Sequence, residues 1–291
     1  MKPRAASGVV PVSDSTFETG YIQSQDGTRL FYRCLPKQDA KATLLFVHGF
    51  GEHCGRYEHV MRWFHDQGFD VGAFDYRGHG KADGTRAHCD RFDRYLDDMD
   101  AFLRFMMDRS GDDRKLYIVG HSHGGLVATA YILNQPEGID GLVLSAPFFG
   151  VKLKVPALKA AAGTVMSRVW PTLALPTGIP AAHLSTDPEV GRQYEADPLV
   201  GSTATSRWFT EHTARQELML KSADKLRLPL LMLLPGSDKI VDAEVSQNFL
   251  AAVGSTDKEM QWYDEMYHEI FNEVRKEDVF NDLLTWLRKH V

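Results

Sequence analysis

Short apolar runs alternate with longer amphipathic segments along most of this 291-residue chain. The apolar runs have the length and composition of strands buried on both faces of a sheet, and they occupy residues 42–47, 69–74, 115–119, 139–145, 228–234 and 259–263. Segments with helical spacing of apolar residues lie between them, at residues 57–67, 92–108, 126–133, 244–253 and 277–289. This alternation predicts an α/β fold, with a mostly parallel sheet that has helices on both faces.

The beginning of the pattern is different, because two short strand-like runs lie close together. Residues 21–24 and 30–34 are separated by a polar stretch that contains the pair Asp26-Gly27. Two such runs joined by a short turn with glycine are typical of a β-hairpin. We therefore predict that these residues form a hairpin before the parallel strands begin.

The alternation breaks between residues 148 and 225. Several prolines lie in or at the edge of this stretch, among short amphipathic pieces: Pro147, Pro156, Pro171, Pro176, Pro180, Pro188 and Pro198. The stretch is too long to be one loop of a compact domain. We predict a helical cap at residues 148–225, inserted into a core made of residues 17–147 and 226–291, with an N-terminal extension at residues 1–16.

Residues 120–125 contain a G-x-S-x-G pattern between a predicted strand and a predicted helix. This is the setting of a nucleophile elbow, a turn so sharp that the central Ser122 takes a strained backbone conformation. Gly120 and Gly124 lack the Cβ atoms that would collide with the strand and the helix. The pattern alone is common by chance, but in this setting it is rare. It predicts that Ser122 is a catalytic nucleophile, with the positive end of a helix beneath it.

A serine nucleophile needs a base that takes its proton and a carboxylate that orients the base. In α/β-hydrolases the acid and then the histidine follow the serine along the chain. Asp238 lies on the turn after the strand at residues 228–234, and His268 follows the last strand. Asp242 is the alternative acid, but it occupies an expected helix N-cap position, and His290 lies near the C-terminus, where chains fray. We therefore predict Asp238 and His268 as the partners of the serine.

An acyl-transfer site also needs backbone N–H groups that stabilise the oxyanion. A His-Gly-x-Gly loop at residues 48–51 follows directly after a predicted strand, where one such donor normally arises. We expect the amides of Phe50 and of His123, the residue after the nucleophile, to form the oxyanion hole. His48 and His79 are also candidates for catalysis, but glycine-flanked histidines in loops often bond to nearby backbone, so we interpret both as structural.

Composition narrows the class of protein. The formal net charge is -6 and the pI is about 6.1, which gives no electrostatic reason to expect a nucleic-acid partner. Cys34, Cys54 and Cys89 form no C-x-x-C pair and suit a reducing compartment. The sequence has neither a signal-peptide pattern nor an apolar run of membrane-spanning length. We expect a soluble, cytoplasmic protein that needs no metal or organic cofactor.

Four stretches together resemble the monoacylglycerol lipase and lysophospholipase group of α/β-hydrolases. They are H-G-F-G-E-H at residues 48–53, Arg56-Tyr57, D-Y-R-G-H-G at residues 75–80 and the elbow at residues 120–125. The acidic and arginine members of the first two stretches are the distinctive part, because other α/β-hydrolases usually lack them. The resemblance extends from about residue 21 to the C-terminus. It implies a cap with an acyl tunnel and a small polar pocket for a glycerol head group.

The resemblance also implies roles for individual residues. It matches the catalytic triad to Ser122, Asp238 and His268, and the oxyanion donors to Phe50 and His123. It places four further residues around the glycerol pocket: Glu52, Arg56, His121 and Tyr194. Structural interpretations of these four remain open, with Glu52 and Arg56 as a buried ion pair, His121 as part of the elbow and Tyr194 as an aromatic residue of the cap core.

Two positions depart from the pattern of that group. His123 stands where methionine or glutamine is usual, and Phe271 stands where animal members have a histidine. The residues after His268 are instead similar to bacterial members. Both departures concern the preference for a head group and leave the predicted triad unchanged.

From the resemblance and the triad we expect a carboxylic ester hydrolase that releases fatty acid and glycerol from monoacylglycerols through an acyl-enzyme. A lysophospholipase or a general short-chain carboxylesterase is the alternative, and an acyltransferase using the same acyl-enzyme is less favoured. A non-catalytic lipid-binding relative is disfavoured, because it would need neither Asp238 nor His268 at the triad positions. The expected partner is thus a small lipid ester.

The start of the predicted cap mixes lysines with apolar residues at residues 151–159, and Val165, Met166, Val169 and Trp170 follow. The pattern favours a cap that packs on the core, because Pro156 interrupts any long amphipathic helix. The alternative is a surface that settles on micelles or bilayers and makes the protein peripheral to a membrane.

Overall fold

A sheet of eight strands forms the centre of the described part of the chain, which comprises residues 16–111, 114–134, 138–152 and 157–291 of this computed structural model. The strands of this sheet are β1 (Glu18–Gln23), β2 (Arg29–Leu35), β3 (Thr43–Val47), β4 (Asp70–Asp75), β5 (Leu116–His121), β6 (Gly141–Ser145), β9 (Leu230–Pro235) and β10 (Lys258–Tyr263). Two further strands, β7 (Ala174–Pro176) and β8 (Thr203–Thr205), form a separate ribbon. The predicted N-terminal extension, apart from Thr16, and cap residues 153–156 lie outside the described residues.

The strands of the main sheet follow the spatial order β1-β2-β4-β3-β5-β6-β9-β10. β1 and β2 are antiparallel, with Tyr21 opposite Phe31, and β2 is also antiparallel to β4. The other pairs of this sheet are parallel. The predicted hairpin and the predicted mostly parallel sheet are both confirmed. Because parallel strands end at the same edge of a sheet, the residues that follow β3, β5, β9 and β10 gather there.

Helices cover both faces of the sheet, as the sequence pattern predicts. Those in the described residues are α1 (Glu58–Asp66), α2 (Asp93–Ser110), α3 (His123–Asn134), α4 (Ala157–Val169), α5 (Pro188–Ala196), α6 (Ser206–Leu220), α7 (Ala243–Ala252) and α8 (Lys276–His290). Each predicted helix is present, with bounds that differ by three residues at most. α2 ends at Ser110, and the next residue, Gly111, has a φ of +83°, a value that glycine adopts without strain.

Alternating side chains of each strand build two separate cores, one on each face. In β3, Leu45 packs in the core formed with α2 and α3, which includes Phe102. Its neighbour Leu44 packs in the core formed with α1 and α8, which includes Phe280. The central strands are buried on both faces, which explains why their sequences are continuously apolar.

The three cysteines are free and buried, and they are divided between the two cores. Cys34 and Cys89 belong to the core on the α2 and α3 face, and Cys54 belongs to the core on the α1 and α8 face. Burial raises the pKa of the Cys34 thiol and of the Cys89 thiol to about 12. All three thiols are therefore protonated at neutral pH.

The chain between β6 and β9 contains α4, α5, α6 and the β7–β8 ribbon, and it contacts the edge where the parallel strands end. α4 and α6 pack together, with the hydroxyl groups of Ser167 and Thr210 2.7 Å apart. The Gly201 N–H donates to the Gly51 carbonyl across 2.7 Å. The hydroxyl of Thr205 caps α6 by accepting from the Trp208 N–H. This segment therefore lies against the loop in which an oxyanion donor is predicted.

Apolar side chains of the same segment point to solvent. Val165, Val169 and Trp170 are 60%, 76% and 56% exposed, and Leu175 of the ribbon is 55% exposed. None of these four belongs to either core, whereas Trp208 and Met219 of α6 do pack in the core on the α2 and α3 face. Among the described helices, none combines the length and the apolar character that crossing a bilayer requires.

Candidate active site

The G-x-S-x-G residues form the sharp turn that the sequence predicts, between β5 and α3. Ser122 has a φ of +49°, a strained value for a residue with a side chain. A Cβ at Gly124 would lie 2.1 Å from the Val47 carbonyl oxygen, so only glycine fits there. The Ser122 N–H donates to the Ser145 carbonyl across 2.9 Å, which ties the turn to the neighbouring strand. The strain is thus held in place by packing and by backbone hydrogen bonding.

Three residues from distant parts of the chain meet in one line of hydrogen bonds. The Oγ atom of Ser122 lies 2.9 Å from Nε2 of His268, and Nδ1 of His268 lies 2.8 Å from Oδ2 of Asp238. The other oxygen of Asp238 accepts from the N–H groups of Ile240 and Val241. The structure therefore brings the three predicted triad residues together, at the ends of β5, β9 and β10.

The two alternative residues have other partners. Asp242 is the N-cap of α7, and its carboxylate accepts from the Glu244 N–H across 3.0 Å. His290 lies within α8, and its Nε2 atom is 2.9 Å from a carboxylate oxygen of Asp257. The positional argument against Asp242 is confirmed, whereas the expectation that His290 frays was wrong, because the helix continues to this residue.

Burial and the neighbouring charges shift the pKa values of Asp238 and His268 in opposite directions. Burial alone would raise the pKa of Asp238, but the His268 imidazole and two backbone N–H groups hold that pKa below its usual value. Burial alone would lower the pKa of His268, but the Asp238 carboxylate raises it above the ordinary value. The imidazole is therefore a base whose cation is stabilised at the place where a serine proton would arrive.

The amides of Phe50 and His123 lie at the ends of β3 and β5, next to Ser122. A Cβ at Gly49 would lie 3.4 Å from the Ser122 Cβ, so the loop after β3 is in contact with the serine. Within the described residues, neither amide donates to another protein group. Both N–H groups are thus free to bind an oxygen atom of a ligand.

The peptide units of Gly49 hold the shape of this loop. The Gly49 N–H donates to Oε1 of Glu52 across 2.5 Å, and the Gly49 carbonyl accepts from the Tyr76 hydroxyl across 2.7 Å. His48 has its Nδ1 atom 2.8 Å from the same carbonyl, and Nδ1 of His79 is 3.1 Å from the Arg77 carbonyl. Both histidines therefore have the structural, backbone-directed contacts that the sequence predicts.

Glu52, Arg56 and Glu269 form a buried cluster that we call the ionic network. Nη1 of Arg56 lies 2.7 Å from Glu52 and 2.6 Å from Glu269, and Nη2 lies 2.7 Å from the second oxygen of Glu269. Burial by itself would raise the pKa of Glu269, but the bidentate Arg56 guanidinium holds it down to about 2. The network links the loop after β3 to the loop that carries His268.

The other two residues assigned to the glycerol pocket lie beside this network. The guanidinium of Arg56 is 5.0 Å from the ring centroid of Tyr194. Nδ1 of His121 is 3.0 Å from the Ser145 hydroxyl, and its ring centroid is 4.9 Å from that of His268. Burial lowers the pKa of His121 to about 3, so the ring is neutral. All four residues are therefore close to the loops that hold the triad and the oxyanion donors.

Tyr76, His123 and His212 form a second cluster, which we call the neutral network. The His123 side chain is fully buried and contacts Tyr76 and His212 instead of the triad. His212 belongs to α6 and stacks on Trp208, whose ring is 4.4 Å from that of Phe50. Sequence reasoning missed Tyr76, Trp208 and His212. Tyr76 lies in the D-Y-R-G-H-G stretch, but that pattern does not reveal its contact with His123, and no local pattern marks His212, which is 89 residues from its partner.

Among the described residues, no group of three or more His, Cys, Asp or Glu side chains is arranged so that it could hold a metal ion. His53, for example, has its Nε2 atom 2.8 Å from Asp197. The chemistry that the arrangement itself can perform is proton transfer from a serine to a histidine, next to two free N–H groups.

Comparisons with known proteins agree with this chemistry. A family model described as Hydrolase_4, serine aminopeptidase, S33, matches residues 38–275. A monoacylglycerol lipase of Mycolicibacterium smegmatis is 30% identical over 275 residues, which cover 91% of this chain and 95% of that protein. An uncharacterised abhydrolase domain-containing protein of Dictyostelium discoideum is 33% identical over 261 residues, or 88% of this chain. This chain spans only 27% of that protein.

A solved structure gives a similar result. The crystal structure of the Paleococcus ferrophilus monoacylglycerol lipase matches with a TM-score of 0.82 and 29% sequence identity. The match covers 90% of this chain and 99% of that chain.

Proposed function

Since this chain belongs to the Hydrolase_4 family of α/β-hydrolases, we propose that it releases fatty acid and glycerol from monoacylglycerols. The chain is a carboxylic ester hydrolase similar to monoacylglycerol lipases. The observation that carries the proposal is the hydrogen-bonded line of Ser122, His268 and Asp238. Relatives that are named monoacylglycerol lipases supply the substrate class.

In the proposed reaction, Oγ of Ser122 attacks the ester carbonyl while its proton passes to Nε2 of His268. Asp238 stabilises the imidazolium that forms and keeps its orientation. His268 then gives the proton to the glycerol oxygen, which leaves. A water molecule, deprotonated by the same imidazole, attacks the acyl-enzyme; the imidazolium returns this proton to Oγ of Ser122 as the bond to the acyl carbon breaks, and the fatty acid is released. The N–H groups of Phe50 and His123 bind the negative oxygen of each tetrahedral intermediate.

For the glycerol head group we propose a polar pocket bounded by Glu52, Arg56, His121 and Tyr194. Arg56 has both of its outer nitrogens committed to carboxylates, so its proposed part is to shape and charge the pocket. The Tyr194 hydroxyl and the His121 ring remain as groups that would meet glycerol hydroxyls directly. A mixed set of neutral and charged polar groups suits an uncharged polyol.

We also propose that residues 148–225 act as a cap on a core made of residues 17–147 and 226–291. Peripheral contact of this cap with lipid surfaces is supported by the exposed Val165, Val169 and Trp170. The three free, buried thiols support a cytoplasmic location. Flotation with phosphatidylcholine liposomes tests the contact: Trp170→Ser should reduce the bound fraction, and Val274→Ser, at an exposed position outside the cap, should not. Equal binding of both variants and the parent would contradict it.

The decisive experiment compares kcat/KM for monoacylglycerols of increasing chain length, a lysophosphatidylcholine and a short nitrophenyl ester. A maximum for a monoacylglycerol is expected, and Ser122→Ala should lower kcat by several orders of magnitude. Ser246→Ala is the control, because Ser246 is buried in α7 outside the site. Activity on the nitrophenyl ester alone would keep the triad and overturn the substrate class, whereas near-normal activity of Ser122→Ala would overturn the mechanism.

A further inference from the structure

The neutral network is a chain of four close contacts between two carbonyl groups. At one end, the Tyr76 hydroxyl is 2.7 Å from the Gly49 carbonyl oxygen, and the His48 carbonyl oxygen lies beside it at 3.0 Å as a second, longer acceptor. The hydroxyl is also 2.8 Å from Nδ1 of His123, whose Nε2 is 2.6 Å from Nε2 of His212. At the other end, Nδ1 of His212 is 2.6 Å from the Trp208 carbonyl oxygen.

Counting hydrogens shows that the chain lacks one proton. Carbonyl oxygens only accept, so four contacts that are all hydrogen bonds need four hydrogens on the three side chains. Two neutral imidazoles and one phenol carry three. One contact is therefore without a proton whenever His123 and His212 are both neutral.

The surroundings keep the pair neutral. His48 and His79, from the loops after β3 and β4, act on His123, and His79 together with Arg215 of α6 acts on His212. Tyr95 of α2 faces both rings, and Arg215 is paired with Asp93 at the start of α2. Burial is the main cause that lowers the pKa of His212 to about 3, against the opposite effect of the Trp208 carbonyl, and burial together with His212 lowers the pKa of His123 well below its usual value. A fourth proton is thus not held at neutral pH.

We propose that His212 is a positioning residue for the oxyanion hole, and that α6 and the loop at Gly49 compete through His123 for the proton of Tyr76. If that proton lies toward His123, the Nε2–H of His123 reaches His212, and the Gly49 carbonyl loses the tyrosine donor and keeps only the contact with Nδ1 of His48. If it lies toward Gly49, the contact between Tyr76 and His123 is a hydrogen bond only when His123 carries its proton on Nδ1, and Nε2 of His123 then offers no proton to α6. The position of the helix is therefore transmitted to the residues beside Ser122.

By this proposal, His123, the unusual residue after the nucleophile, links the loop at Gly49 to α6. The proposal rests on the proposed function only in that the amides of Phe50 and His123 serve an acyl-transfer reaction. The loop and the helix both approach these amides, since Gly49 precedes Phe50 and the Trp208 ring contacts Phe50. A stronger hydrogen bond at the Gly49 carbonyl or at α6 changes the positions of the Phe50 and His123 N–H groups relative to each other. This change affects the stabilisation of the transition state more than the binding of substrate.

The first test uses two variants of the full chain that force opposite tautomers of His123, read by ¹⁵N NMR of labelled imidazoles. In His212→Gln, the amide N–H of glutamine donates to Nε2 of His123, which must then carry its proton on Nδ1. In Tyr76→Phe the competitor is absent, and His123 should carry its proton on Nε2. The parent protein should give ¹⁵N shifts between those of the two variants. A single His123 tautomer common to all three proteins, or a His123 cation at pH 7, would overturn the proposal.

The second test measures kcat and KM with a short nitrophenyl ester, so that it does not depend on the monoacylglycerol substrate. His212→Leu should lower kcat about tenfold with little change in KM, and His212→Gln should restore kcat to within about twofold of the parent. If both variants match the parent, or if the loss lies in KM, His212 has no positioning role. Failure of monoacylglycerol hydrolysis with intact nitrophenyl esterase would overturn the proposed function and leave this inference standing.

Discussion

Two networks hold the same residue, Gly49, by its two peptide groups, one with charges and the other without. Glu52 of the ionic network accepts the Gly49 N–H, and Tyr76 of the neutral network donates to the Gly49 carbonyl. In the ionic network every contact of Arg56 joins a cation to a carboxylate, and all are between 2.6 and 2.7 Å. In the neutral network the contacts are equally short, but they outnumber the available protons.

The difference shows two ways of burying polar groups beside Ser122. Buried charges have a large desolvation cost and need their full set of partners, so the ionic network has one geometry. Neutral rings cost less to bury, and they can exchange protons among alternative arrangements. We infer that the ionic side fixes the loop at Gly49 relative to His268, while the neutral side couples this loop to α6.

The largest effect is expected from removing the cation. Arg56→Met leaves Glu52 and Glu269 buried without their counter-charge, and it should lower the free energy of unfolding by about 3–5 kcal/mol. Urea denaturation measures this change. Arg275→Met is the matched control, because Arg275 and Asp278 form an exposed pair whose loss should cost less than about 1 kcal/mol. Similar losses in the two variants would remove the distinction between the ionic network and an ordinary ion pair.

Acid should affect the two networks over different pH ranges. The pKa of His212 falls from 6.5 to about 3 on folding, so the unfolded chain binds the extra proton, and stability is lost as the pH falls from about 6.5 toward 3. The pKa of Glu269 falls from 4.5 to about 2, so its contribution is lost between about 4.5 and 2.

Urea denaturation at several pH values distinguishes these ranges. Between pH 6 and 5, His212→Gln should reduce the slope of unfolding free energy against pH by up to about 1.4 kcal/mol per pH unit. Glu269→Gln should change the slope only below about pH 5. Identical curves for both variants would show that the networks do not differ in their response to protons.

Removing one hydroxyl tests the neutral side at the loop. Tyr76→Phe withdraws the donor from the Gly49 carbonyl, and we expect kcat to fall about tenfold while KM stays within about twofold. Stopped-flow or steady-state assays with a nitrophenyl ester measure both constants. Tyr32→Phe, on β2, controls for loss of a phenol outside the networks. A rise in KM without a change in kcat would place Tyr76 in substrate binding.

The smallest effect concerns the pH profile. The carboxylates of Asp238 and Glu269 raise the pKa of His268, and in the proposed reaction His268 must be unprotonated to accept the serine proton. Glu269→Gln should therefore move the acid limb of kcat/KM toward lower pH, by about a few tenths of a unit. Glu273→Gln should leave the limb in place, because the buried Glu273 bonds to Thr186 and to the Tyr267 N–H. A shift to higher pH would contradict the electrostatic role of Glu269.

The sequence predicts those features whose residues are close together along the chain or follow a known order. The elbow around Ser122 has a local signature, and so do the strands, whose apolar runs report burial on both faces. Asp238 and His268 were predictable because chain order and strand ends place them at one edge of the sheet. These elements, the hairpin and the helices agree with the structure.

The contacts within the two networks could not be predicted, because they depend on packing between segments that are distant in the sequence. Glu269 contacts Arg56 across 213 residues, and His212 contacts His123 across 89. No periodicity records such pairs, because each partner looks like an ordinary polar residue in its own element. The exposure of Val169 and Trp170 agrees with the alternative interpretation of the cap, which the sequence disfavoured because Pro156 interrupts any long amphipathic helix.

Because the cysteines are divided between the two cores, the rate at which each one is alkylated reports how often its own core opens to solvent. A protonated, buried thiol does not react with an alkylating reagent until its surroundings open. Cys34 and Cys89 report on one layer of the molecule, and Cys54 reports on the other. Mass spectrometry of the alkylated chain can therefore resolve whether the two layers separate together or in sequence, without any introduced label.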